Sequence, residues 1–270
     1  MGKAMRSILF LGFLVLVILG ASWVFLPKNN TPEAGMRDIL ANGILAEPEN
    51  TLDYLVLGDS LAMTGVNPWT VWRDQGYTGY VCAATGLDPE GAAGFLDTAL
   101  KHQQPKVVLL EAHQLYKALT PLESGTRRIS RLIPVLEYHD NWKFLKPAQA
   151  LQPVCYDNPM VERGYYLRKA VSPADPGDYM DPKDGDDPIP EQSLRILGRM
   201  ADRCRDQGIT LVLFSLPSPA NWSDAAHRAV EAVSEKMGLT YVDMNREDLG
   251  LDWSRDTLDG GDHLNDQGAE

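Results

Sequence analysis

One short apolar run in this chain stops on three residues of another kind: Leu55-Val56-Leu57 is followed at once by Gly58-Asp59-Ser60. The stretch from Asp53 to Leu57, apolar and β-branched at Val56, predicts a strand covered on both faces of a parallel sheet. Gly58 permits a tight or left-handed turn, and Asn67-Pro68 downstream has the form of a helix cap and first helical position. The expected order is strand, exposed serine, loop, helix. A serine at the carboxyl end of a central strand stands where open α/β sheets bind their ligands. Its hydroxyl becomes a nucleophile once a histidine takes its proton. That histidine is offered at the other end of the chain, where Asp259-Gly260-Gly261-Asp262-His263-Leu264-Asn265 sets His263 beside two carboxylates able to orient and stabilise an imidazolium.

The rest of the chain supplies elements for a sheet. Strands are expected at Tyr77–Ala84, Lys106–Glu111, Ile209–Leu216 and Thr240–Asp243. Between them, helices are expected at Pro68–Gln75 before Gly76, from Asp88-Pro89 to about Lys101, at Glu191–Gln207 and at about Ser223–Met237. This alternation is that of right-handed βαβ units. It predicts an α/β fold, a three-layer α/β/α sandwich around a mainly five-stranded parallel sheet. From about 115 to 190 the alternation lapses, and an insertion over the carboxyl edge of the sheet, with a helix starting at Arg127–Arg131, is expected to shape a substrate groove. Its tail, 172–190, is rich in aspartate and proline and reads as a solvated loop. Asp181, Asp184, Asp186 and Asp187 would suit a calcium ion only outside EF-hand spacing, so no metal is expected. A helix after Asn265 is expected to be cut short at Glu270, as in a fragment.

Leu57–Ser60 near the start, and the aspartates with His263-Leu264-Asn265 near the end, resemble the GDSL/SGNH hydrolase family. Further points of resemblance are the Gly86 region, Pro105–Glu111 and Tyr138–Trp142, so the similarity spans roughly Asp53 to Glu270. Within the family it is closest in kind to membrane-anchored proteins of bacterial envelopes, similar to accessory proteins of cell-wall and exopolysaccharide O-acylation. The resemblance implies a flavodoxin-like SGNH fold, with Ser60 as nucleophile and His263 as base. The family's aspartate position is Gly260 here, so Asp259, with Asp262 second, is expected to complete the triad. The N–H groups of Ser60 and Gly86 match oxyanion-hole positions. The family's asparagine donor is missing. Glu111-Ala112-His113-Gln114 stands in its place, where Gln114 or His113 would substitute. Asp59 is read either as a substrate contact or as a turn-forming carboxylate, His113 as a residue near substrate, and Trp142 as the best ring to stack on a sugar.

Compartment and partners follow from charge. Lys3 and Arg6 precede an uncharged stretch, Ser7–Leu26, and spanning a bilayer takes about 20 apolar residues. The positive-inside rule predicts a single-pass cell-membrane protein whose later residues lie outside the cytoplasm. A signal peptide cleaved near Gly20-Ala21-Ser22 is the alternative. The expected division is an anchor at 1–26, a linker at 27–50 acting as a spacer, and an α/β domain at 51–270. A net charge of −12 argues against nucleic acid as partner. Cys82, Cys155 and Cys204 show no metal-ligand spacing, and Asn29 and Asn221 open glycosylation sequons. No cofactor is called for. Three functions remain: an esterase or acyltransferase acting on acyl, chiefly acetyl, groups of a cell-surface glycan or another acylated substrate; a non-catalytic accessory protein serving a membrane acyltransferase; and a lipid esterase.

Overall fold

The structure is a computed structural model that describes residues 2–144, 146–182 and 185–270. In chain order its main elements are α1 (Lys3–Phe25), α2 (Ile39–Asn42), β1 (Tyr54–Gly58), α3 (Ser60–Gly65), α4 (Pro68–Gln75), β2 (Gly79–Ala83) and α5 (Pro89–Ala99). These are followed by β3 (Val107–Glu111), α6 (Pro121–Leu132), α7 (Pro134–Tyr138), α8 (Pro147–Ala150), α9 (Glu191–Asp206), β4 (Thr210–Ser215), α10 (Asp224–Met237) and β5 (Thr240–Asp243).

The five strands form one sheet in the order β2-β1-β3-β4-β5, parallel throughout. The register sets Val56 beside Val81 on one side and Leu109 on the other. Alternate strand residues then point to opposite layers. Leu55, Leu57, Leu110 and Leu213 pack with Leu96 of α5, Ile196 and Met200 of α9 and Val230 of α10. On the opposite face Val56, Val81 and Phe214 meet Leu61 and Ala62 of α3, and α4 also lies on this side against β2. Each fully buried leucine or valine stabilises the fold by about 1.5–3 kcal/mol relative to exposure. The second layer thins toward β5, where Val107, Leu109 and Val212 are half-buried and Val242 is exposed.

The caps explain where the helices begin. Asn67 accepts from the Trp69 N–H, Asp88 from Gly91 and Ser223 from Ala226, each side chain satisfying an amide that the first helical turn leaves unpaired. Two helices depart from expectation. Ser60 opens α3 rather than a loop, because the preceding Asp59 caps it through the Leu61 N–H. In the insertion, the helix begins at Pro121 and not at Arg127: Thr120 and Glu123 form a reciprocal capping box, a signal legible as Thr-Pro-x-Glu.

Residues 28–50 are not the free spacer expected. Asn30, Met36, Ala41 and Ile44 are buried, Tyr80 donates its hydroxyl to the Leu40 carbonyl at 2.7 Å, and α2 lies against β2. Beyond Asn265 the described chain makes a turn instead of a helix. Of the calcium candidates, Asp184 lies outside the described residues, and no described acid of 172–190 joins a cluster of metal-competent side chains. Cys82, Cys155 and Cys204 are all free thiols. The helix α1 is long and apolar enough to cross a membrane, by length and composition.

Candidate active site

A sheet of order 2-1-3-4-5 changes the direction of its connections between β1 and β3, and the carboxyl ends of those two strands frame its natural ligand crevice. Ser60 leaves β1 there and Glu111 ends β3. Gly58 makes the exit tight. A Cβ on it would lie 2.5 Å from Ala62 Cβ and 2.8 Å from Glu111 Cβ, so only glycine lets α3 fold back onto the strand ends.

His263 Nε2 is 2.8 Å from Ser60 Oγ. Its other ring nitrogen, Nδ1, is 2.9 Å from Asp259 Oδ2, while Asp259 Oδ1 accepts the His263 N–H at 2.8 Å. Asp262 comes second: its Oδ2 is 3.3 Å from Nδ1, and its Oδ1 is held by the Asn221 amide. The four-residue offset from Asp259 to His263 is made possible by Gly260 and Gly261, with φ of 74° and 93°, a region glycine enters without cost to a side chain.

The loop carrying His263 is braced from two sides. Asn265, buried, donates to the carbonyls of Arg255, Ala170 and Thr257 and accepts from the Gln267 and Gly268 N–H groups. The second half of the insertion runs along it: Ser172 N–H donates to the Thr257 carbonyl, Gly260 N–H to that of Ser172, and Tyr166 N–H to that of Met63 in α3. The second half of the insertion is thus bonded both to α3, which Ser60 opens, and to the loop that carries His263.

Behind Ser60 lies a buried charged cluster. Asp59 Oδ2 is 2.9 Å from His113 Nδ1 and 3.2 Å from Lys117 Nζ. Burial alone would raise the Asp59 carboxyl, but the His113 bond and charge, the Leu61 N–H and Lys117 outweigh it and hold the group below its ordinary value. Glu111 goes the other way: full burial, and then the Asp59 charge, push it well above the usual carboxylate range, against the N–H bonds it accepts. The two buried carboxyls are thus pushed in opposite directions, Asp59 toward its ionised form and Glu111 toward its protonated one. The groups Asp59, Glu111, His113 and Asp259, Asp262, His263 each bring ligand-type atoms within 4.8 Å of one another. Hydrogen bonds within each group already account for the approach.

The expected oxyanion donors fare unequally. Ser60 N–H, at the first helical position, has no intrahelical partner, and among the described residues the Gly86 N–H makes no hydrogen bond. Gln114 is fully buried and gives its amide to the Glu111 carbonyl at 3.2 Å, leaving its Oε1 unpartnered. It does not face the cleft as a donor, because its place in the 3-10 turn His113–Tyr116 aims it into the core. His113 reaches Asp59 rather than an open site. Trp142 is not brought to Ser60. It sits in the turn His139–Lys143, whose described neighbours include α1 and α7. Lys117 and Asn221 also join the site; in the sequence Lys117 follows no recognisable spacing, and Asn221 is marked only by its sequon.

The fold and the site define a parallel α/β protein with a serine–histidine–aspartate array at its switch point. No protein-family model matches the chain, and no curated protein does. Solved structures similar to it include the lipase/acylhydrolase from Enterococcus faecalis (12% identity over 81% of this chain and 89% of that one, TM-score 0.42). Others are a GDSL-like lipase from Bacteroides thetaiotaomicron (13%, 85% and 92%, TM-score 0.40) and the acetyl xylan esterase AlAXEase (11%, 80% and 93%, TM-score 0.42). The Bacteroides thetaiotaomicron lipase is of the GDSL type that the motifs around Ser60 and His263 resemble. The geometry at Ser60, rather than these distant likenesses, carries the functional reading.

Proposed function

We propose that the chain is a serine esterase or acyltransferase working through an acyl-enzyme on Ser60. The observation that supports it is the continuous array Ser60 Oγ, His263 Nε2, His263 Nδ1, Asp259 Oδ2 with contacts of 2.8 and 2.9 Å. His263, with Nδ1–H donated to Asp259, accepts the Ser60 proton at Nε2 as Oγ attacks the acyl carbon. The tetrahedral oxyanion meets the N–H groups of Ser60 and Gly86. Collapse breaks the ester C–O bond, and Nε2–H passes its proton to the departing alkoxide. The acyl group leaves Ser60 by the same steps in reverse, to water in an esterase or to a sugar hydroxyl in a transferase.

The substrate class in this reading is O-acyl, chiefly acetyl, groups of a cell-surface glycan. It is motivated by the anchor at residues 1–26, with Lys3 and Arg6 on the cytoplasmic side and residues 51–270 outside. A second reading, a non-catalytic accessory protein of an envelope acylation system, is favoured by one observation: Gln114, the amide nearest the family's third donor, is turned into the core. Labelling the full chain with a serine-directed phosphonate separates the two. The enzyme reading expects modification at Ser60, lost in Ser60→Ala and strongly slowed in His263→Ala; a folded wild type that stays unlabelled rejects it.

A further inference from the structure

Outside α1, exposed large apolar side chains occur on several elements, among them Trp72 of α4, Leu122 of α6 and Val161, and one run of them lies beside α1. Leu132 (81%), Leu136, Trp142 (65%), Phe144 and Leu151 (77%) are all exposed between the end of α6 and the turn after α8. This stretch is fastened to α1: the Val135 N–H donates to Ser22 Oγ at 3.3 Å, and Asn141 Nδ2 to the Phe25 carbonyl at 3.1 Å. Ser22 is the one buried residue of α1. At 1.5 Å per residue, Ser22 lies about 5 Å along the helix from Phe25. If α1 crosses a bilayer, α7 cannot stand clear of it, because its contact is at a depth inside the span. The chemistry suits that level. Trp142 is flanked by Lys143, Lys146 lies beyond Phe144, and Arg128 lies on α6, in a chain whose net charge is −12; aromatic and basic residues favour the headgroup layer.

We propose that residues 129–144 and 146–151 form a collar seated in the outer headgroup layer of the membrane that α1 crosses, so that the protein touches lipid at two places. This rests on α1 being an anchor. The collar is joined to the site, since α6 packs on α5, where Arg131 pairs with Glu90 at 2.7 Å, and α5 follows the Gly86 turn. A seated collar would thereby set the height of the crevice over the bilayer. The test uses the full chain with Cys155→Ser in phosphatidylcholine/phosphatidylglycerol vesicles, carrying a nitroxide at Leu132→Cys, Leu151→Cys, Leu11→Cys or Leu249→Cys. Collisions with oxygen should exceed those with a water-soluble nickel chelate at 11, 132 and 151, and the order should reverse at 249. Nickel access at 132 and 151 equal to that at 249, with 11 protected, overturns the collar and leaves the anchor. Nickel access at 11 as well overturns both.

A different observation bears on the oxyanion site. Lys117 Nζ lies 3.2 Å from Asp59 Oδ2 and 3.8 Å from the point where a Cβ on Gly86 would stand. It therefore lies between the residue preceding the nucleophile and the second N–H donor, with its side chain partly open to solvent. Asp59 is also hydrogen-bonded to His113 and to the Leu61 N–H, which fixes the carboxylate that positions the ammonium. We infer that Lys117 is the third stabiliser of the oxyanion, a cation in place of a neutral amide. This rests on the acyl-enzyme reading of Ser60. Phosphonate labelling and p-nitrophenyl acetate turnover by wild type, Ser60→Ala, Lys117→Met and Lys117→Arg test it. Lys117→Met should slow labelling and kcat about 10²-fold with KM little changed, and Lys117→Arg should recover most of the loss. Wild-type rates in Lys117→Met overturn the inference while Ser60 still labels; no labelling of wild type overturns it together with the Ser60 reading.

Discussion

Replacing the two carboxylates beside His263 one at a time should give very unequal losses. Asp259→Asn keeps an oxygen for the His263 N–H but turns an amide N–H2 toward Nδ1, where Asp259 Oδ2 now sits at 2.9 Å. The bond lost is one to a charged acceptor, about 1.5–3 kcal/mol, or roughly ten- to 150-fold at 1.36 kcal/mol per decade. The amide also favours the tautomer with its proton on Nε2, which cannot accept from Ser60; the same exchange in a serine-protease triad costs about 10⁴ in kcat. A loss between about 10² and 10⁴ is therefore expected. Asp262 is as exposed as Asp259, but its contact is longer, 3.3 Å, it makes no second bond to the His263 N–H, and its other oxygen is tied to Asn221. An exposed pair of that kind is worth about 0.2–1 kcal/mol, so Asp262→Asn should slow the enzyme no more than about fivefold. Acetyl-ester turnover and the phosphonate labelling rate of both variants provide the measurement. A larger loss in Asp262→Asn than in Asp259→Asn would refute the assignment.

Three other perturbations test the scaffold. Glu111 has a higher pKa folded than unfolded, so its contribution to stability is complete below its ordinary value and is lost as pH rises through the folded one. Glu111→Gln should flatten the stability curve on the neutral side in urea melts, and an unchanged slope sinks the idea. Glu90 works in the opposite sense: burial would raise it, but Ser124, Arg131 and Arg199 together hold it low, so its contribution is present above its ordinary value and lost as pH falls. Glu90→Gln should cost about 2–3 kcal/mol at pH 7, below the 3–5 of a fully buried pair because both arginines are partly exposed; a melt within 0.5 kcal/mol of wild type, roughly the spread of neutral surface changes, contradicts it. Gly58→Ala forces a Cβ into Ala62 and Glu111 and should destabilise by about 1–3 kcal/mol while slowing Ser60 labelling. A stable, fully reactive variant would show that α3 can yield.

The alternating part of the fold was readable because each strand is a short apolar run and each helix carries local punctuation. The expected Pro68–Gln75 and Thr240–Asp243 match the elements found, and the other strands differ by a residue or two at their ends, where hydrogen bonding fades gradually. Ser60 and His263 were legible because their motifs stand alone at the two ends of the chain. What the sequence did not reveal depends on contacts made at a distance. Residues 28–50 look polar, yet a few apolar side chains such as Met36 and Ile44 find the sheet. Gln114 has the right chemistry for a donor and the wrong direction, since a 3-10 turn decides which way it points. Trp142 has the right chemistry for a sugar and the wrong neighbourhood. Lys117 bears no local mark at all, because its role is set by Asp59, far away in sequence.

The two halves of the array, Ser60 and His263, are separated by 203 residues. A chain still being synthesised exposes its serine strand 203 residues before the base that activates it. Until His263 has emerged and docked, the hydroxyl is an ordinary alcohol, unable to acylate or to react with passing esters. Loss by proteolysis of the segment that carries His263 would return it to that state. Activity toward an ester thus reports that both halves of the array are present and joined, and a cut that removes one of them acts as an off switch.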